Sequence, residues 1–76
     1  MLTFDDFIYE AQRYRLEHPE ERAGQAVHTA LYYFDHELFL KFKFGKDDFT
    51  EPIDPFNDDS KIGEFLAWVK RQYQTY

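Results

Sequence analysis

The chain contains no cysteine. Disulfides, thiolate zinc sites and cysteine-based redox or nucleophilic chemistry are therefore excluded. Its one serine, Ser60, follows two aspartates and has no nucleophile-elbow signature around it, which leaves it the role of a cap or first-turn residue. Glycine is sparse, at three residues, and nothing resembles a glycine-rich phosphate cradle. No apolar run approaches the roughly 18 residues of a membrane span. The start, Met1-Leu2-Thr3-Phe4-Asp5-Asp6, lacks the basic residues and apolar stretch of a secretory signal. These absences lead to the expectation of a soluble protein of the bacterial cytoplasm.

What the chain does have is aromatic residues and localised acid. Its 76 residues suffice for one domain, residues 1–76, and a chain of this size buries only about 60% of the surface it exposes when unfolded. Nine Phe, six Tyr and one Trp outnumber Leu, Ile, Val and Met together. A few short helices cannot enclose so many rings, each of which hides about 150–250 Å². Some must face solvent, where aromatics mark protein interfaces. The formal net charge is −6, and all of it lies between residues 47 and 59, where Asp47, Asp48, Glu51, Asp54, Asp58 and Asp59 occur without a Lys or Arg. That balance speaks against direct nucleic-acid binding, which needs a basic face.

Hydrophobic periodicity predicts helices. Thr3 is a good N-cap with Asp6 placed for a capping box, and Phe4, Phe7, Ile8, Ala11 and Tyr14 form one stripe of a helix ending at His18-Pro19. Pro19-Glu20-Glu21 has the composition of a second helix start. Ala23, Ala26, Val27, Ala30, Leu31 and Phe34 make its stripe, and Gly24 implies a close approach or a frayed first turn. Asp35 is placed to cap a third helix from His36 to about Phe44. The same stretch alternates apolar residues with Lys41 and Lys43, so a short hairpin over 38–53 is the alternative. Gly45 to Asn57 reads as a long acidic loop. Asp58 or Asp59 then caps a last helix with Ile62, Phe65, Leu66, Val69 and Tyr73 as its stripe. The expected fold is all-α, a compact bundle of three to four helices.

Catalysis and metal binding find little footing. His18, His28 and His36 have no metal-ligand spacing. Asp54-Pro55-Phe56-Asn57-Asp58-Asp59 is rich in oxygens but fits no register of a calcium loop, since Phe56 takes a ligand position. The carboxylates lie in a short loop with little volume for a pocket. The expectation is a non-enzyme without cofactor or metal.

Arg22-Ala23-Gly24-Gln25-Ala26, then Asp35, Glu37 and Leu38, then Asp54-Pro55-Phe56-Asn57-Asp58-Asp59 with Ile62, Phe65 and Trp68, together resemble a pattern in small uncharacterised proteins of bacteriophages and prophage-bearing bacteria. The resemblance implies a simple helical protein in a phage setting and brings no activity with it. The chain departs from the pattern in a longer insert, Lys41 to Ile53.

The function expected on these grounds is protein interaction. A phage-encoded module would bind a host nucleic-acid-processing or defence protein with a basic surface, and modulate or inhibit it. The residues expected to make the contact are Asp47, Asp48, Phe49, Glu51, Asp54, Phe56, Asp58, Asp59 and Trp68. The alternative is a self-associating helical structural or regulatory protein whose spare aromatics form a homodimer interface.

Overall fold

A computed structural model of the chain describes residues 2–45 and 53–74. Among them four α-helices follow in order: α1 Phe4–Glu17, α2 Ala23–Phe34, α3 His36–Phe44 and α4 Ile62–Gln74, the last entered through a single 3-10 turn at Asp59–Lys61. No strand forms among the described residues. The domain is all-α, and residues 38–44, the first arm of the alternative hairpin, are helical.

Each helix starts where its sequence provides an acceptor for unpaired N–H groups. Thr3 and Asp6 form a reciprocal capping box at α1: the Asp6 N–H donates to Thr3 Oγ1 at 3.1 Å and the Thr3 N–H to Asp6 Oδ2 at 3.2 Å. Asp35 caps α3 by accepting the Leu38 N–H at 3.1 Å, and its other oxygen accepts the Tyr73 hydroxyl at 2.8 Å. One carboxylate thus starts a helix and ties α4 to the α2–α3 corner. This choice settles residues 38–44: a well-capped helix satisfies its own backbone, whereas a strand there would need a partner.

The exception is α2. It begins at Ala23, not at Pro19 as composition suggested, and its N-cap Arg22 is extended with no side-chain cap of its own. Pro19–Glu21 instead form a turn closed by the Glu21 N–H on the His18 carbonyl at 3.1 Å. A helix start at Pro19 loses because the side chains of Glu21 and Arg22 are committed elsewhere, as described below.

The core lies between the four helices. Phe7 and Ala11 of α1, Val27, Ala30 and Leu31 of α2, Phe42 of α3, and Phe65, Trp68 and Val69 of α4 are buried together. Phe42 meets Phe65 edge-on at 4.9 Å and Trp68 at 5.2 Å, a geometry that adds about 0.5–1.5 kcal/mol per pair beyond burial. Trp68 was expected among the surface contact residues. It is only 2% exposed, because it stands three residues after Phe65 and one before Val69, on the core-facing stripe of α4.

Candidate functional site

Two stretches distant in sequence, residues 22–24 and 55–59, meet in one clamp. The Arg22 guanidinium donates to the Phe56 carbonyl. The Gly24 N–H, one of the unpaired donors at the start of α2, donates to Asp59 Oδ1 at 2.9 Å. Helix α2 is therefore capped by a residue thirty-five positions downstream. A side chain at position 24 would collide with the Pro55 carbonyl oxygen, so the close approach that Gly24 implied is real. Asp58 caps the following turn, accepting the Ser60 N–H at 3.0 Å and the Ser60 hydroxyl at 2.6 Å. Those two bonds hold its carboxyl below the usual carboxylate range. Pro55 is fully buried beneath this clamp, and Phe56 stays at the surface, 36% exposed.

Asp54 is likewise engaged within the fold. Its Oδ2 receives the Lys43 ammonium at 2.6 Å and its Oδ1 the Phe56 N–H at 2.9 Å. Partial burial pushes its pKa upward, but the Lys43 and Phe56 hydrogen bonds outweigh this and leave it below the ordinary value. Beside it lies His28, buried on α2 with only 7% exposure. Its ring packs edge-on against Phe39 at 5.1 Å and Phe56 at 4.9 Å. Nε2 is 4.0 Å from Asp54 Oδ1, and among the described residues neither ring nitrogen has a hydrogen-bond partner. Burial, reinforced by the Lys43 charge and opposed by Asp54, lowers its pKa to about 4, so His28 is neutral at physiological pH.

From His28 a file of rings runs along α2 to Tyr14 of α1. Phe39 meets Tyr32 at 5.2 Å, Tyr32 meets His36 at 4.6 Å and Tyr33 at 5.0 Å, and Tyr33 stacks with Tyr14 at 6.1 Å. Much of this file is open to solvent: Tyr32 and His36 are exposed, and Tyr33 is 72% exposed.

The file ends in a groove of about 510 Å³ between α1 and α2, lined by Glu10, Tyr14, Glu17, His18, Ala30, Tyr33 and Phe34. Its floor is held in place. The Tyr14 hydroxyl donates to Glu21 Oε2 at 2.7 Å, and the His18 ring stacks on Tyr14 at 4.1 Å. His18, Glu20 and Glu21 bring possible ligand atoms within 4.8 Å of one another, but one oxygen of Glu21 is already taken by Tyr14 and Glu20 is exposed. Partial burial, then the bond to Glu21 and that carboxylate's charge, raise the Tyr14 pKa to about 12. Because the folded value lies above the unfolded one, the stabilisation from this hydroxyl is complete below the ordinary phenol value of 10.0 and is lost as pH rises through about 12. An alkaline absorbance titration is expected to contain a phenol step near pH 12, and Tyr14→Phe to remove it. A titration unchanged by Tyr14→Phe would contradict the assignment.

Of the residues expected to contact a partner, Asp54, Asp58 and Asp59 make hydrogen bonds within the fold, Asp58 and Asp59 while remaining exposed, Trp68 lies in the core, and Phe56 is exposed. Asp47, Asp48, Phe49 and Glu51 lie outside the described residues. The groove was missed because its two walls come from different helices. The only local signal was Glu10, Tyr14 and Glu17 recurring at helical spacing on one side of α1.

Fold and surface together define a small all-α helical bundle bearing an exposed aromatic file with an acidic groove at one end. No protein-family model, curated protein or solved structure matches the chain. None of the described helices is long and apolar enough to cross a membrane.

Proposed function

We propose that this domain is a protein-interaction module, phage-encoded, that binds and modulates a host protein through its aromatic file, with the acidic segment 47–51 assisting. The supporting observation is the file from Phe56 to Tyr33. Its rings pack on one another in a fixed arrangement while the faces of Tyr32 and Tyr33 stay open. Rigid aromatic faces give contact area with little ordering cost, which is why Tyr and Trp dominate binding hot spots. The net charge of −6 favours a partner with a basic surface and speeds its encounter. The module acts by occupying a site on that partner and not by catalysis.

The test is affinity capture from a bacterial lysate with three baits: wild type, Tyr32→Ser with Tyr33→Ser, and Asp47→Asn with Asp48→Asn and Glu51→Gln. A basic host protein is expected with wild type, strongly depleted with the ring variant and weakened by added salt with all baits. Equal capture by wild type and the ring variant would sink the reading at its supporting observation.

A further inference from the structure

We infer that the groove between α1 and α2 is a receptor for an arginine side chain of the partner protein. The inference deepens the protein-interaction reading and rests on it. Two carboxylates, Glu10 and Glu17, stand on the α1 wall, two turns apart on one face of the helix. Among the described residues no lysine or arginine lines the groove. The rest of the lining is mostly aromatic: Tyr14 and Tyr33 lie 6.1 Å apart with their planes 27° from parallel, the His18 ring stacks on Tyr14, and Phe34 and the small Ala30 complete it. Carboxylates beside open aromatic faces are the chemistry that recognises an organic cation.

Other occupants fit worse. An apolar segment would strip water from two carboxylates without pairing them. An acidic segment or a nucleic acid would be repelled. Between the two cationic side chains, flat ring faces favour the planar guanidinium, which stacks and still offers its edge N–H groups to carboxylates; an ammonium is a compact, strongly hydrated point charge.

The groove is also prepared for this ligand. Tyr14 is locked by its hydrogen bond to Glu21 and by the stacked His18 ring, so its orientation does not have to be selected on binding. Glu10 has an intrahelical partner, Arg13, at 3.3 Å, but both side chains are about half exposed. Such surface pairs are weak, and the incoming guanidinium can replace Arg13 at small cost.

The test uses the full chain and the blocked amino acid N-acetyl-arginine methylamide, followed by amide chemical shifts in two-dimensional NMR. Saturable shifts are expected at Tyr14, His18, Ala30 and Tyr33. The citrulline analogue, which has the same shape without the charge, is expected to give none. The lysine analogue should bind more weakly by about threefold or more. Glu10→Gln with Glu17→Gln should weaken arginine binding roughly tenfold, while Glu64→Gln, an exposed change on α4, should leave it unchanged. Because all three glutamates lie at the surface, the amide spectrum of each variant also verifies that it remains folded.

Saturation by citrulline, equal affinity for the lysine analogue, shifts confined to other surfaces, or affinity unaltered in the double variant would each overturn the inference. Failure here combined with host capture that depends on Tyr32 and Tyr33 would reject the arginine receptor alone. Failure of that capture would reject the broader reading.

Discussion

Gly24→Ala is expected to destabilise the domain by about 1–3 kcal/mol, the range for forcing extra volume into a packed site. The sign is what makes the result informative. A glycine inside a helix normally costs about 1 kcal/mol relative to alanine, so the same substitution elsewhere is a gain. At position 24 the new methyl group would overlap the Pro55 carbonyl oxygen and come within 2.7 Å of Asp59 Oδ1 and 3.2 Å of Asp59 Cα. Two of those three neighbours are backbone atoms, which cannot turn aside as the end of a side chain can. Relief would require the segment from Pro55 to Asp59 to move off α2. That movement breaks the Gly24–Asp59 and Arg22–Phe56 hydrogen bonds together. Gly63 is the internal control, since a methyl group there meets nothing within 4 Å. Gly63→Ala should stabilise α4 by about 0.5–1 kcal/mol. Urea unfolding followed by the fluorescence of Trp68, the lone tryptophan, measures both variants. Stability of Gly24→Ala equal to or above wild type would mean that the clamp is not closed as described.

Acid should destabilise the protein through His28 at pH values where most carboxylates are still ionised. The folded pKa of about 4 lies below the ordinary imidazole value of 6.5, so the unfolded chain binds the proton more readily. Stability associated with neutral His28 is complete above 6.5 and is lost progressively as pH falls toward about 4. A gap of that size corresponds to about 3 kcal/mol, a large fraction of the stability of a domain this small. The cause is the place of the ring. It is enclosed by Phe39 and Phe56, faces the Lys43 charge, and reaches Asp54 only at 4.0 Å, too far for a hydrogen bond. Asp54 acts in the same direction. Its depressed pKa contributes stability that is present above the ordinary carboxylate value and lost as pH falls through the folded one.

His28→Leu removes one of these two titrations. The variant is expected to be at least as stable as wild type near neutral pH, because it also removes two buried ring nitrogens that make no hydrogen bond among the described residues. It should further show a flatter stability profile between pH 6.5 and about 4. Carboxylates elsewhere titrate in both proteins, so the difference between the two profiles isolates His28. Parallel profiles would show that the ring is not held neutral by the fold.

The two experiments probe one junction from opposite sides. Gly24 and Asp59 close it through the backbone, while His28, Asp54 and Lys43 fill its outer edge. Around it the chain places Arg22, Gly24, Asp54, Pro55, Phe56, Asp58 and Asp59 together. In three dimensions it is a device for fastening α2 to the segment before α4. Asp54 and Asp59 thus make contacts across the fold that their place in an acidic segment does not announce. Aspartates that cap a neighbour's helix or hold a lysine cannot be told from solvated ones until the acceptor's partner is located. Asp59 and Gly24 are thirty-five residues apart, far outside any local window.

The reading of α1, α3 and α4 succeeded because their signals are local. Thr3 with Asp6 and Asp35 with Leu38 are three residues apart, and the apolar stripes repeat every three or four. The misplaced start of α2 and the misread Trp68 failed for different reasons. Glu20 and Glu21 have the composition of a helix start, but Tyr14 draws Glu21 away. Trp68 did lie on the stripe of Phe65 and Val69, and its periodicity should have outweighed the general tendency of tryptophan to mark interfaces.

By itself, the sequence determined the all-α class, the helical faces, the caps made within one turn, and the surplus of rings over available core. All of these follow from spacing along one helix or from composition, and need no knowledge of what lies opposite. Only the tertiary structure decided which rings remain open, that α2 is capped from across the domain, that His28 is shut in beside Lys43, and that Glu10, Glu17, Tyr14 and Tyr33 meet in one groove. Those features depend on how helices pack against each other, and a side chain's neighbours across a helix interface leave no periodic trace in the chain that carries it.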